Sequence, residues 1–227
     1  MRKAFSILLL AVSASLALGA IDQGDISALK QKALAGDATA QVQLGRAYAF
    51  ASPRDTKEAM KWFQMAADQG NPDGEYLLGG VLDVGISPQN PTEAIKWYTK
   101  AATQGFKDAQ YRLAVMYDQG RGTAKNESEA AKWYTKAAEQ GRPEAQYRLG
   151  EMYEEGIGVP KDYHLAMTWY MKAAEQNRPE AEYKVGYLYE HGQGVPANRT
   201  QAMTWYERSD KHGNAIAEQA LKALQEQ

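Results

Sequence analysis

The amino-acid sequence predicts an all-α fold, a superhelical solenoid of about five antiparallel helix-turn-helix repeats of 34–36 residues. A regular period of this length is typical of stacked helix pairs. Three observations support the prediction: the spacing of the five tryptophans, a capping side chain before each, and a turn-forming residue after each. The tryptophans are spaced by 35, 36, 36 and 36 residues: Trp62, Trp97, Trp133, Trp169 and Trp205.

Each tryptophan lies on what we call the second helix of its unit, and both ends of this helix can be read from the sequence. An Asp or Asn stands seven residues before each Trp and predicts an N-cap: Asp55, Asn90, Asn126, Asp162 and Asn198. Glu58, Glu93, Glu129 and Gln201 follow three residues later and predict capping boxes, with Leu165 as the exception. Residues that tolerate a left-handed backbone follow each Trp by eight positions: Gly70, Gly105, Gly141, Asn177 and Gly213.

The first helix of each unit has apolar residues at helical spacing and one small residue near its middle. Glycine inside a helix is costly unless a close helix contact requires it. We therefore expect tight packing at the small positions, which are Gly45, Gly79, Ala114, Gly150 and Gly186.

The length variation is confined to one loop of the unit. The distance from each Trp to the Tyr or Leu of the next unit is always 20 residues, as from Trp133 to Tyr153. The distance within a unit, as from Tyr48 to Trp62, varies between 14 and 16. We therefore expect a fixed junction between units and a loop at an edge that can shorten freely. Its paired glycines, as in 156–158, predict tight turns, because no strand precedes them as a phosphate-binding loop requires.

The N-terminus is typical of a secretory signal peptide. Arg2 and Lys3 precede an apolar stretch from Phe5 to Leu18, and the small residues Gly19 and Ala20 follow. We expect residues 1–20 to be removed, leaving 21–227 as a single repeat domain with half units at its ends and no membrane span. The expected location is the periplasm, with secretion as the alternative.

Composition narrows the classes of function. A formal net charge of −2 argues against non-specific nucleic-acid binding. The chain has no cysteine, and its histidines, His164, His191 and His212, lack a metal-binding spacing. We therefore expect no metal site and no cofactor, and a fold stabilised by its packed core alone.

The units resemble SEL-one-like repeats, which are relatives of tetratricopeptide repeats. The resemblance rests on recurring Leu-Gly, Tyr, Gly-x-Gly-Val, Trp-Tyr and Lys-Ala-Ala elements over roughly residues 30–227. Unit two departs from the pattern with Leu82, and unit five with Ser209 and Asp210. The resemblance implies a right-handed curved stack of helix pairs and a role as a non-enzymatic adaptor that binds other proteins.

Candidate partner-binding residues form three rows on the first helices, opposite the predicted core positions Ala145, Leu149 and Met152. We expect these rows to face the concave groove and to form a tyrosine-rich, acidic surface for a basic or extended peptide. The alternative for the tyrosines is that they fill space between neighbouring first helices. The first row is Tyr76, Tyr111, Tyr147 and Tyr183; the second, which varies most, is Arg46, Gly80, Val115, Glu151 and Tyr187; the third is Asp83, Asp118, Glu154 and Glu190. The loops around Pro53, Pro88 and Gly122 are the alternative binding surface.

Two other functions stay open at this point. Ser27 and Lys30 match the Ser-x-x-Lys motif of penicillin-binding enzymes, which would indicate a hydrolase of cell-wall or β-lactam substrates. The companion motifs Ser-Asp-Asn and Lys-Thr-Gly do not follow, and Ser27 also suits the N-cap of a first helix. A secreted effector that meets host proteins is the second alternative.

Overall fold

The computed structural model describes residues 23–51, 55–84 and 89–226. Within these ranges the chain is an all-α repeat array without strands, which confirms the predicted fold class. None of these helices is long and apolar enough to cross a membrane. The predicted signal peptide and the loop residues Pro53 and Pro88 lie outside the described residues.

The helices are α1 (Gln23–Leu34), α2 (Ala38–Phe50), α3 (Thr56–Asp68), α4 (Pro72–Val84), α5 (Pro91–Thr103), α6 (Lys107–Gln119), α7 (Glu127–Glu139), α8 (Pro143–Glu155), α9 (Tyr163–Glu175), α10 (Pro179–His191), α11 (Arg199–Lys211) and α12 (Ala215–Gln225).

The units are the helix pairs α2 with α3, α4 with α5, α6 with α7, α8 with α9, and α10 with α11. Each helix packs against the helices before and after it in the chain, and α2 also contacts α4, the first helix of the next unit. Three-residue turns join consecutive units, as at residues 104–106, 140–142 and 176–178. Helices α1 and α12 pack at the two ends of the array.

Both predicted ends of the second helices are confirmed. The side chains of Asp55, Asn90, Asn126 and Asn198 each accept a hydrogen bond of 3.0 Å from the backbone N–H three residues later. Asp162 accepts from His164 and Leu165. The predicted left-handed residues all have positive φ, including Asn177 at 59°, the only non-glycine residue with positive φ in the described ranges.

The predicted capping boxes are wrong. The N–H of each capping residue donates instead to a carbonyl of the preceding helix, as from Asn126 to Tyr117 at 2.9 Å and from Asn198 to Tyr189 at 2.8 Å. This bond occupies the donor that a capping box needs. The carboxylates that would have closed the boxes pair with lysines three residues later: Glu58 with Lys61, Glu93 with Lys96, and Glu129 with Lys132.

The small residues of the first helices make the close contacts that were predicted. A Cβ atom on Gly150 would lie 2.6 Å from the ring of Tyr170, and one on Gly186 would lie 2.7 Å from the ring of Tyr206. These rings belong to the second helix of the same unit. Because an aromatic ring occupies the space, the two helices approach closely at this level.

The tryptophans pack in the core, but the aromatic residue after each Trp is the more deeply buried in the later units. Tyr134, Tyr170 and Tyr206 are buried, whereas the tryptophans before them are only partly buried. Trp133 packs against two neighbouring core clusters, one of them formed by α5 and α6. The tryptophans therefore join adjacent units.

The paired glycines form turns, but the expectation of a free loop edge is wrong for units three to five. A Cβ atom on Gly122, Gly158 or Gly194 would lie 2.3 Å from a backbone oxygen at the start of a second helix. For Gly158 this atom is the backbone oxygen of Glu127, which lies in the preceding unit. The loop therefore docks on its neighbour, and only glycine permits the contact.

A glutamine after each middle second helix binds the first helix of its own unit and the last turn of the unit before it. Gln140 donates from Nε2 to Gln110 Oε1 at 2.8 Å and to the carbonyl of Gly105 at 3.0 Å. Gln176 makes the same two bonds to Gln146 and Gly141 at the same distances. The junctions of these units are therefore geometrically equivalent.

Candidate protein-binding face

The predicted residues lie on the first helices, where most of them are partly exposed, whereas Gly80 and Asp83 are buried. We call this surface the first-helix face. It comprises the three rows on α2, α4, α6, α8 and α10. Each row recurs because successive units repeat at the same junction. Which residues of this face contact a partner stays a prediction.

The tyrosine row is partly exposed and partly structural. Tyr76, Tyr111, Tyr147 and Tyr183 are each half-buried. Each ring packs on the buried tyrosine of the second helix in its own unit, with centroid separations of 5.8, 5.9, 5.6 and 5.4 Å. Such pairs stabilise the core and hold the outer ring in a fixed orientation. Burial raises the pKa of Tyr111, Tyr147 and Tyr183, so these phenols stay neutral at physiological pH.

The next unit contacts the rings of three of these tyrosines, which remain half-exposed. The ring of Phe106 lies 5.2 Å from that of Tyr76. The guanidinium carbons of Arg142 and Arg178 lie 4.4 and 4.9 Å from the ring centroids of Tyr111 and Tyr147. These are distances at which a cation is attracted to an aromatic face.

The tyrosine of the last unit has a different neighbour. Asn214 occupies the position that corresponds to Arg142 and Arg178, and its amide donates to the carbonyl of Pro179 at 3.3 Å. Tyr183 is therefore the member of the row without an arginine or aromatic side chain from the next unit over its ring.

The acidic row is tied to the buried tyrosines. The hydroxyls of Tyr134, Tyr170 and Tyr206 donate to Asp118, Glu154 and Glu190 at 3.4, 2.5 and 2.6 Å. Burial, reinforced by these carboxylates, raises the pKa of all three tyrosines. The phenols therefore remain donors across the physiological range.

Basic side chains of the following unit neutralise most of the acidic row. Arg148 binds both carboxylate oxygens of Asp118, at 3.0 and 3.2 Å, and Lys184 donates to Glu154 at 2.8 Å. Asp83 pairs with Arg121. Burial outweighs the attraction of Arg121 and raises the pKa of Asp83. The face is therefore less acidic than the sequence suggests.

The middle row changes chemistry from unit to unit. Arg46 pairs with Asp73 at 3.2 Å, and Glu151 pairs with Arg148 at 3.2 Å. Val115 packs at the edge of the core. Tyr187 stacks on His191 with a centroid separation of 4.0 Å. Gly80, the member of this row in unit two, is buried. A partner that lies along the row would therefore meet the basic, apolar, acidic and aromatic positions of the other four units.

Sequence reasoning missed the basic residues that complete the face. Arg142 and Arg178 recur at a spacing of 36 residues, as do Arg112, Arg148 and Lys184. This periodicity was a readable signal. What the sequence did not show is that these cations contact the tyrosines and carboxylates of the preceding unit.

The other sequence candidates are not brought together. Ser27 and Lys30 are both exposed on α1, and because α1 begins at Gln23, the expectation that Ser27 caps a helix is wrong. His212 binds the buried carboxylate of Glu182 at 2.8 Å, far along the chain from Ser27. Within the part of the chain that the structure describes, no three His, Cys, Asp or Glu side chains could hold a metal ion.

Comparison with known proteins gives consistent matches along the array. The Sel1 repeat model matches residues 38–71, 72–106, 107–141, 143–177 and 179–214. No curated protein matches the chain. Among solved structures, the chain is 40% identical to c5321, a protective antigen present in uropathogenic Escherichia coli strains that displays an SLR fold. The TM-score is 0.83, over 86% of this chain and 43% of that one.

Two further solved structures are similar. A Sel1 repeat protein from Oxalobacter formigenes is 34% identical with a TM-score of 0.77, over 88% of this chain and 59% of that one. A Sel1 repeat protein from Klebsiella pneumoniae is 27% identical with a TM-score of 0.50, over 88% of this chain and 99% of that one. The chain therefore spans less than two thirds of the first two proteins.

Proposed function

The chain belongs to the Sel1 repeat family, and from this premise we propose that it is an exported, non-enzymatic scaffold that binds a protein or peptide partner on its first-helix face. Sel1 repeats form a scaffold fold that is typical of protein–protein interaction. The face, the partner class and the export are the parts that this proposal adds.

The tyrosine row is the observation that carries the proposal. Its four rings are half-exposed and are held by buried tyrosines behind them. Tyrosines that are rigid before binding lose little conformational entropy when a partner contacts them, and they are frequent hot spots. The adjacent middle row, which differs in every unit, would supply specificity.

Site-specific photo-crosslinking in cells tests which face binds. A photoreactive amino acid would replace Val115 or Tyr187 on the first-helix face, and Lys132 or Glu207 on exposed parts of second helices as matched controls. We expect crosslinked partners from the first pair alone, and reduced capture when Glu151→Ala is added. Equal capture from the control positions would contradict a role for the first-helix face.

The proposal of export rests on the N-terminal sequence, in which basic residues are followed by an apolar stretch and then by small residues. N-terminal sequencing of the purified protein, combined with cell fractionation, tests this part. A mature chain that begins near residue 21 in the periplasmic fraction is the expected result. Recovery from the culture medium would instead favour the secreted effector.

The hydrolase alternative has a direct test of its own. Purified protein would be incubated with the chromogenic β-lactam nitrocefin, alongside the Ser27→Ala variant. We expect no turnover by either, because Ser27 and Lys30 are both exposed on α1 and the companion motifs Ser-Asp-Asn and Lys-Thr-Gly do not follow. Turnover that disappears in Ser27→Ala would overturn the non-enzymatic part of the proposal.

A further inference from the structure

The C-terminal end of the first-helix face has an aromatic and acidic group without the cations that complete it elsewhere. This group, which we call the C-terminal site, consists of Tyr183, Tyr187, Glu190 and His191 on α10, with Tyr206 on α11 beneath it. Internal units show what normally occupies such a group. Unit four receives Arg178 over Tyr147 and Lys184 on Glu154, both from unit five.

Helix α12 and the turn before it do not supply these two cations. The corresponding positions, 36 residues further on, are Asn214 and Ala220. Asn214 is engaged with Pro179 and with the start of α12. Lys222, on the same helix as Ala220, is exposed and pairs with Glu218.

Glu190 is left with a single polar contact in the described structure, the hydrogen bond from Tyr206 at 2.6 Å. The other two carboxylates that accept a hydrogen bond from a second-helix tyrosine, those of Asp118 and Glu154, also form an ion pair. A half-buried carboxylate without a cation attracts one strongly, because the low local dielectric strengthens the interaction.

Three aromatic side chains of the C-terminal site share α10 with this carboxylate, and they pack on one another and on Tyr206. Tyr183 stacks on Tyr206 at 5.4 Å and lies 6.4 Å from Tyr187. Tyr187 in turn stacks on His191. The half-exposed ring of Tyr183 and the carboxylate of Glu190 together offer a planar cation both stacking and charge.

We propose that the C-terminal site binds an arginine side chain of the partner protein. In the internal units two separate side chains fill these places, as Arg142 over Tyr111 and Arg148 with two hydrogen bonds on Asp118. Here a single guanidinium contacts the ring of Tyr183 and binds Glu190 with two hydrogen bonds. Arginine fits better than lysine, because its planar group can stack and form two parallel hydrogen bonds at once. This inference rests on the proposed function and names one chemical feature of the partner.

Peptide titration followed by NMR tests the site. The probe is an acetylated Gly-Gly-Arg-Gly-Gly amide at roughly millimolar concentration, compared with the same peptide carrying citrulline, which has the shape of arginine without its charge. We expect shifts at His191 and Tyr187 with the arginine peptide, and about tenfold weaker binding by citrulline and by Glu190→Gln. Glu155→Gln, an exposed carboxylate on the neighbouring first helix, is the matched control and should bind as the wild type does.

Ala220→Arg tests the site from within the chain. The new arginine side chain would occupy the position proposed for the arginine of the partner, as Arg148 does for Asp118. It should abolish binding of the arginine peptide, while the circular dichroism spectrum stays unchanged. Gln225→Arg, exposed on the same helix, adds the same charge elsewhere and should leave binding intact.

Several results would overturn the proposal: no shift with the arginine peptide, equal binding of the citrulline peptide, or unchanged binding by Glu190→Gln. A dimer that Ala220→Arg converts to a monomer would identify a second copy as the occupant, against the proposal. Partner crosslinking at Val115 that survives Glu190→Gln would also reject it and leave the proposed function standing.

Discussion

The hydroxyl of Tyr170 donates a 2.5 Å hydrogen bond to Oε2 of Glu154, the oxygen that also accepts from Lys184 at 2.8 Å. These three side chains come from α9, α8 and α10. One carboxylate therefore joins the two helices of unit four to the first helix of unit five.

Removal of this hydroxyl in Tyr170→Phe should lower the free energy of unfolding by about 2 kcal/mol, because hydrogen bonds to charged groups contribute about 1.5–3 kcal/mol. Urea denaturation measures the change. Tyr163→Phe is the control, since Tyr163 contacts the exposed Lys161, whose Nζ lies 4.6 Å from the centroid of its ring. A loss in Tyr170→Phe no greater than in the control would show that the carboxylate link contributes little.

Two glycines with left-handed backbones should respond differently to alanine. Gly141 has no atom within 4 Å of a Cβ position, so Gly141→Ala should cost about 1 kcal/mol from backbone strain alone. In Gly158→Ala the Cβ atom would clash with the backbone of Glu127, and the cost should rise by about 2 kcal/mol more. Thermal denaturation of both variants gives the comparison. Equal losses would mean that the loop does not dock on the preceding unit.

Trp133→Ala should destabilise the array by about 3 kcal/mol, near the lower end for a large aromatic residue, because Trp133 is only partly buried. The variant also loses the contact of Lys136 Nζ, which lies 4.1 Å from the centroid of the Trp133 ring. Lys132→Ala on the exposed side of the same helix should change stability by less than about 0.5 kcal/mol. If a thermal melt shows no difference between the two, Trp133 does not join the units.

The pH dependence of Asp83→Asn follows from the raised pKa of Asp83. The folded state holds the proton more tightly than the unfolded state, so the stability that Asp83 contributes falls as pH rises through and above its usual pKa near 4. The wild type should therefore lose stability relative to Asp83→Asn between about pH 3.5 and pH 7. Denaturation at both pH values measures this difference. The opposite trend would mean that the attraction of Arg121 affects the pKa of Asp83 more than its burial does. Asp68→Asn, at an exposed position, serves as the control.

Local features of the fold were predictable because the sequence alone determines them. Asp162 accepts backbone hydrogen bonds two and three residues away, and Asn177 needs only its own left-handed backbone. The units and their junctions could be counted from the spacing of the tryptophans for the same reason.

Features that depend on a second helix or a second unit were harder to predict. The capping box of Glu129 fails because Tyr117, in another helix, takes the N–H of Asn126. The acidic row is neutralised because Arg148 reaches Asp118 across a unit boundary. A one-dimensional pattern shows that such residues recur, but not which of them meet in the folded array.

The equivalent bonds from Gln140 to the carbonyl of Gly105 and from Gln176 to that of Gly141 have a consequence for how this chain could change over generations. Duplication of one middle unit would present its new neighbours with the same donors and acceptors that they already bind. The array can therefore lengthen by whole units without a new interface having to arise. A longer ligand could be accommodated by copying, and each copy could then diverge at its middle-row position alone.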